Sequence, residues 1–291
     1  MEFRGYTLPT VPAASGAAWA WGAGPDGQLG NGMLLTVPVP VRVSGLSDVI
    51  GMAGNGVTAY AVRGDGTVWA WGSGSSIPAQ VPELTDITAV DASNALHGDG
   101  TVWAFGNDLS AAPVKVTGLT GVTAIASSGA NSYALLGDGT ARAWGYGGVG
   151  GLGNGDTADS AAPVKVSTLT CVTAIGAGGI TGYAVLGDGT VWAWGDGSWG
   201  PLGNGQGGPS SRSSVPVQVT GLTDDVTAVA GASFTGYALG DDGTVWAWGA
   251  GYFGQLGNGT YGTNLVAARI PGLTDITAIA GGSETGYAIT H

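Results

Sequence analysis

Tyr146, Trp199, Phe234, Tyr252, Phe253 and Tyr261 are aromatic residues that fall between the regular segments of this 291-residue chain. Large, stiff, amphipathic rings of this kind do contact chemistry. They cover a protein surface or stack on sugar rings, and they need no titration to do so. Asp26, Asp196, Glu284 and the amide Asn131 fall in the same inter-segment places and supply the polar complement that either contact uses. A hydrolytic reading competes, in which the carboxylates meet at one opening, because paired carboxylates run glycosidic chemistry. The rest of the inventory is thin, with two histidines and one cysteine. His97 precedes a turn where other segments carry Arg63, Leu136 or Leu186. No Ser/His/Asp, Cys/His or metal-ligand spacing stands out. No catalytic residue, metal site or cofactor is therefore expected, and the balance leans away from an enzyme.

The elements that must hold these residues form a repeat. Gly187 to Gly195 reads Gly-Asp-Gly-Thr-Val-Trp-Ala-Trp-Gly, and versions of it run from Gly64, Gly98, Gly137 and Asp242. Asp-Gly between two alternating apolar runs is a hairpin signal; the favoured two-residue turn needs positive φ at both central residues. The Trp-Ala-Trp-Gly units begin at 19, 69, 103, 142, 192 and 246, with Arg142 in the first Trp place, giving spacings of 50, 34, 39, 50 and 54. Periods of this size, built of short strands and turns with no apolar 3.6 periodicity, predict propeller blades.

Composition fits buried strands and narrows the partner. Gly accounts for 58 residues, placed at recurring turns between Val-, Ile-, Thr- and Trp-rich runs, and only 10% of the chain is charged. The formal net charge of −12 opposes a nucleic-acid backbone or an anionic membrane as partner. Many of the 20 acids belong to the repeat: Asp65, Asp99, Asp138, Asp188 and Asp242 in the hairpins, and Asp48, Asp86, Asp225 and Asp275 in the Gly-Leu-Thr-Asp-type links. Cys171 takes the place of Asp86 and Gly121 and forms no disulfide framework. No apolar run approaches the ~20 residues that span a bilayer. Residues 1–17 read as a lead-in without the basic and apolar regions of a signal peptide, and 18–291 as one domain.

Within one repeat, residues 172 to 219 show four strands: a (172–175), b (183–186), c (191–194) and d (215–219). Strand alternation puts the a-to-b and c-to-d loops on one face and the Asp-Gly hairpins on the other. Strand a, flanked by Ala and Gly, is expected on the axis, and strand d, which carries Pro, on the outer edge. The C-terminus ends after a strand b and the N-terminus begins with a strand c. The expected fold is thus an all-β, six-bladed propeller of four-stranded blades, closed by N-terminal strands completing the C-terminal blade. Asp26, Val149, Trp199 and Phe253 take equivalent places in the c-to-d loops, and Asn131, Ile180, Phe234 and Glu284 vary in the a-to-b loops. Residues that vary within a fixed repeat are free to serve a partner.

Trp-Gly-x-Gly-x-x-Gly-Gln-Leu-Gly-Asn-Gly, from Trp21 to Gly32 and Trp248 to Gly259, resembles the repeat of the regulator of chromosome condensation family of β-propellers. Variants run from Trp144 to Gly155 and Trp194 to Gly205. The likeness covers nearly everything after residue 17, although that family commonly has seven blades and this chain counts six. Nothing matches the extended loop and basic tail of its nucleotide-exchange and chromatin-binding founders. Tyr252-Phe253-Gly254-Gln255 is similar in loop chemistry to the propeller-type β-lactamase inhibitory proteins of bacteria. This implies a monomeric, non-catalytic, bacterial protein-binding module, secreted or at the cell surface, with enzyme inhibition as one form. A glycan-binding propeller, the hydrolase and a cytoplasmic location are the alternatives.

Overall fold

The computed structural model describes residues 18–22, 24–35, 37–54, 58–105, 112–223, 225–281 and 286–290. Every regular element among the described residues is a strand. The first two, β1 (Trp19–Gly22) and β2 (Val37–Arg42), pair antiparallel. Five four-stranded antiparallel sheets follow, each in chain order. They are β3 (Val49–Gly54), β4 (Thr58–Arg63), β5 (Val68–Gly72) and β6 (Ser75–Gln80), then β7 (Ile87–Val90), β8 (Asn94–His97), β9 (Val102–Ala104) and β10 (Val114–Lys115). Next come β11 (Val122–Ser127), β12 (Asn131–Leu136), β13 (Ala141–Gly145) and β14 (Ser160–Lys165), then β15 (Val172–Gly178), β16 (Thr181–Leu186), β17 (Val191–Asp196) and β18 (Arg212–Gln218). The fifth holds β19 (Val226–Gly231), β20 (Thr235–Gly240), β21 (Val245–Gly249) and β22 (Asn264–Arg269). The last pair is β23 (Ile276–Gly281) with β24 (Gly286–Thr290). The a and b places of the remaining blade thus fall to the C-terminus and its c and d places to the N-terminus. The ladders described there run β1–β2 and β23–β24.

Strand a of all six blades (β3, β7, β11, β15, β19 and β23) lines one axial cavity of about 290 Å³. That arrangement makes the fold a β-propeller. Its core lies between sheets. Tyr133 packs edge-on to Trp194 of the next blade, with ring centroids 5.6 Å apart, and Tyr183 to Trp248 at 5.9 Å. Strands b and c are buried along almost their whole length, which is why so few charges are used. Within each four-stranded sheet strand d is the outer edge, next to strand c, and the edge is where Pro78, Pro163 and Pro216 are tolerated.

The hairpins differ from expectation in one respect. Positive φ occurs at Gly66, Gly100, Gly139, Gly189 and Gly243 but not at the preceding Asp. In the first, Gly66 N donates to Arg63 O at 2.8 Å and Arg63 N to Thr67 O at 3.0 Å, a three-residue loop ending in a left-handed glycine bulge. Asp65 keeps its ordinary backbone because its carboxylate accepts from Thr67 N (3.1 Å) and Thr67 Oγ1 (2.7 Å). Five of the links to the next blade end on a residue in the left-handed region, Asp48, Asp86, Gly121, Cys171 and Asp275, with φ of 58°, 54°, 65°, 56° and 58°. Cys171 is exposed there.

Candidate binding face

Side-chain bonds fix which loops share a face. Thr181 Oγ1, at the start of strand b, donates to Asp196 O (3.0 Å), and Thr235 Oγ1 to Ala250 O (2.8 Å). The a-to-b and c-to-d loops therefore emerge together, opposite the Asp-Gly hairpins.

The long c-to-d loops are built on two linked turns. The N–H groups of Gly27, Gly150, Gly200 and Gly254 donate to the carbonyls of Gly24, Gly147, Gly197 and Gly251 at 2.8–3.0 Å, with φ of 80–84° at the donor glycine. Asp26, Val149, Trp199 and Phe253 each precede that glycine, so the turn presents all four at the same corner. A second turn follows at Gly30, Gly153, Gly203 and Gly257. A β-carbon at Gly30, Gly153 or Gly203 would lie 2.7–2.8 Å from the ring of Trp71, Trp194 or Trp248 in the next blade. The adjoining Leu29, Leu152, Leu202 and Leu256 are buried. The Leu-Gly-Asn-Gly motif is thus a floor for a neighbouring tryptophan. Below the corner residue the loop is fixed; above it the side chain is unconstrained by the repeat.

At these corners Trp199 is 46% exposed and Phe253 68%, with Tyr252 beside it at 53%. The Trp199 and Tyr252 rings meet edge-on across two blades, with centroids 5.6 Å apart and planes at 89°. Tyr252 Oη accepts from Thr263 Oγ1 at 3.2 Å, and Gln255 Oε1 accepts from Phe253 N at 2.9 Å. Phe234, from the a-to-b loop of the same blade, and Tyr261 are also exposed. Tyr146 is exposed in part, but its ring lies back over Gly148 of its own loop.

The polar residues fare differently. Asn131, expected on the surface, is 1% exposed and donates from Nδ2 to Tyr146 O at 2.6 Å. It pairs with Gly145 as Thr181 does with Gly195, so it is the loop clamp of its blade, and Ala130 holds the place of Ile180 and Phe234. Asp196 is half-buried and bound to its own turn through Ser198 N (2.9 Å) and Ser198 Oγ (2.6 Å). Asp26 is exposed at its corner. Glu284 lies outside the described residues. His97 sits against Asp99 of its own hairpin, with Nδ1 2.9 Å from Oδ1. Among the described residues no three His, Cys, Asp or Glu side chains are grouped to hold a metal ion.

One polar cluster escaped the sequence reading. Asp91 stands on the axis where the other blades carry Ala53, Ala126, Gly176, Ala230 and Ala280, and it is 9% exposed. Its Oδ1 accepts from Asn94 N (2.7 Å), Ser93 N (2.8 Å), Asn94 Nδ2 (3.1 Å) and, across the blade boundary, Ser127 Oγ (2.6 Å). Burial pushes its carboxyl above the usual range, against those bonds. The signal was a lone acid at a Gly/Ala strand position. Asn94 likewise takes the register place of Tyr183, opposite Ala104 as Tyr183 is opposite Ala193.

Four-stranded sheets set around an axial cavity, with exposed aromatics at the loop corners, define the chain as a β-propeller. The chain belongs to the family of the regulator of chromosome condensation (RCC1) repeat, whose model matches residues 15–58, 138–184, 188–239 and 242–289. It is 32% identical over 74 residues to the mitochondrial RCC1 domain-containing protein RUG3 of Arabidopsis thaliana. That match covers 25% of this chain and 17% of the relative, so the chain spans under a fifth of that protein. Among solved structures it is similar to Prp20p of Saccharomyces cerevisiae, described with its binding to Gsp1p and histones (TM-score 0.80, 20% identity, covering 94% of this chain and 77% of Prp20p). It is also similar to human WBSCR16 (TM-score 0.79, 20% identity, 94% and 81% covered). At such identities these structures establish the fold.

Proposed function

We propose that the chain is a non-catalytic protein-binding module whose partner docks on the loop face at Trp199, Tyr252 and Phe253. The observation that carries this is the placement of three exposed rings on adjacent loops held by linked turns, the Trp199 loop also lying against Trp248 of the next blade. A β-carbon at Gly200 would lie 2.8 Å from the Leu265 side chain of strand β22, so the Trp199 loop sits close against the next blade. Rings held in place before binding lose little freedom on contact, which is the condition under which an aromatic anchor contributes most. Prp20p, with the same fold, binds proteins, which supports the class of partner without naming this one. Inhibition of a secreted enzyme is the form that the loop chemistry favours.

The test is a pull-down from bacterial extract and culture medium with wild type and a folded Trp199→Ala/Phe253→Ala variant, with bound proteins identified by mass spectrometry. Truncating a central aromatic anchor costs about 2 kcal/mol or more, so a specific partner should be lost from the variant. Equal recovery by both proteins would move the binding face elsewhere.

A further inference from the structure

The axial cavity opens among small side chains, Ala53, Gly54, Ala126, Ala177, Ala230 and Gly231, with one charged group, Asp91, in its wall. The turn between β7 and β8 uses only Asp91 Oδ1, which takes four donors. Oδ2 receives a single long contact, from Asn94 Nδ2 at 3.2 Å. An asparagine would supply the Oδ1 bonds without a buried charge, so the turn does not explain why an acid stands here. Asn94, in contact with it and 1% exposed, leaves its own Oδ1 without a partner among the described residues. Asp91 Oδ2, in the cavity wall, thus keeps acceptor capacity that one long contact does not fill, and a donor is what it lacks. No ion pair from the described residues reaches Asp91. A carboxylate this buried is paired or neutral, and the chain brings it no cation.

We propose that the axial cavity is a binding subsite for an alkylammonium group, in which an aliphatic stem lies against the Ala and Gly walls and the ammonium pairs with Asp91 Oδ2. An unbranched stem suits a cavity of about 290 Å³ walled by small aliphatic side chains, and an ammonium brings donors to Asp91 Oδ2, which has one long contact. The cavity is lined by the loop-proximal halves of the axial strands, so a lysine of a protein docked on the aromatic face is one source and a free amine the other. Only the choice of lysine as source rests on the protein-binding reading.

The probe is n-butylammonium chloride, titrated into the full chain while the amide signals of Asp91, Ala92, Ser127, Ala177 and Ala230 are followed by NMR. Potassium chloride at equal ionic strength and n-butanol serve as controls. Saturable shifts are expected with butylammonium alone, with a dissociation constant in the millimolar range. Binding should weaken about tenfold or more in Asp91→Asn, the factor that a lost charge partner commonly produces. Ala126→Leu, which fills the cavity and leaves the carboxylate in place, should block it and decides the matter if Asp91→Asn does not fold. Unchanged saturation in either folded variant, equal shifts with potassium, or no saturable shift at the axial amides would overturn the subsite. Adding the capped tripeptide acetyl-Ala-Lys-Ala-amide separates the sources: competition with butylammonium supports lysine, and exclusion of the peptide restricts the site to free amines. These outcomes stand apart from the pull-down, which varies Trp199 and Phe253 only.

Discussion

Trp248 and Tyr183, from adjacent blades, donate to one carbonyl: the indole N–H reaches Pro201 O at 2.8 Å and the phenol O–H at 3.1 Å. The rings stand edge-on at 78°, and burial pushes the Tyr183 phenol well above its usual range. A carbonyl with two donors tolerates the loss of one. Tyr183→Phe should therefore cost about 1 kcal/mol, whereas Tyr183→Phe with Trp248→Phe leaves a buried acceptor unmet and should exceed the sum of the single changes by about 1 kcal/mol. Urea unfolding of the four proteins reads the coupling; simple additivity would mean that the two donors act independently.

The same loop separates two kinds of glycine. Gly203 and Gly205 have φ of 60° and 83°, but a β-carbon at Gly203 would meet Trp248 Cδ1 and Val219 Cγ1 at 2.8 Å, while at Gly205 the nearest atom, in Val266, is 4.0 Å away. Gly205→Ala should lose about 1 kcal/mol from backbone strain alone. Gly203→Ala should lose roughly 1–3 kcal/mol more, from overpacking against the indole. Thermal unfolding would show two equal losses if the tryptophan could move aside.

What could be read in advance was whatever the repeat dictates. The Asp-Gly hairpins, the Trp strand, the axial strand a and the common corner of Trp199 and Phe253 all recur, and each copy constrains the others. Asn131 was misplaced because its role depends on a one-residue register: pairing with Gly145 turns it inward, whereas one place earlier it would face solvent. Asp91 was missed for a related reason. Its blade is shortened between β7 and β8, which breaks the repeat spacing that would place it beside Gly176, and a bond to Ser127 of the next blade has no counterpart in sequence spacing. The turn class was misjudged because the hydroxyl of the following Thr decides how the Asp backbone lies.

That Thr also makes the hairpin carboxylates sensitive to acid. Asp65, Asp99, Asp138, Asp188 and Asp242 are each held below the ordinary carboxylate value, first by the Thr hydroxyl two residues on and then by its N–H. Folded values below unfolded ones mean stability that is complete above about pH 4 and lost as pH falls through the folded values. Thr190→Val keeps the N–H bond and removes the hydroxyl, so it should raise the Asp188 value and make the acid transition begin at higher pH. NMR titration of the Asp188 carboxyl carbon measures this; an unmoved midpoint would assign the shift to the backbone bond alone.

Asp91 must act in the opposite sense. Burial holds its carboxyl above the reference value of 3.8, so between that value and the raised one the folded protein binds the proton more tightly than the unfolded chain. Stability contributed by this group is then greatest in acid and declines as pH rises through the folded value. The side chains that face it, Ser93, Asn94 and Ser127 with the Ala, Gly, Val and Ile of the other axial strands, carry no charge to offset the effect. Asp91→Asn abolishes the titration. The stability of wild type minus that of the variant, measured by urea unfolding in amine-free buffer, should therefore fall from pH 4 to neutrality, while the hairpin carboxylates contribute equally to both proteins and cancel. A difference that stays level or rises over that range would mean that the Asp91 charge is already compensated within the chain.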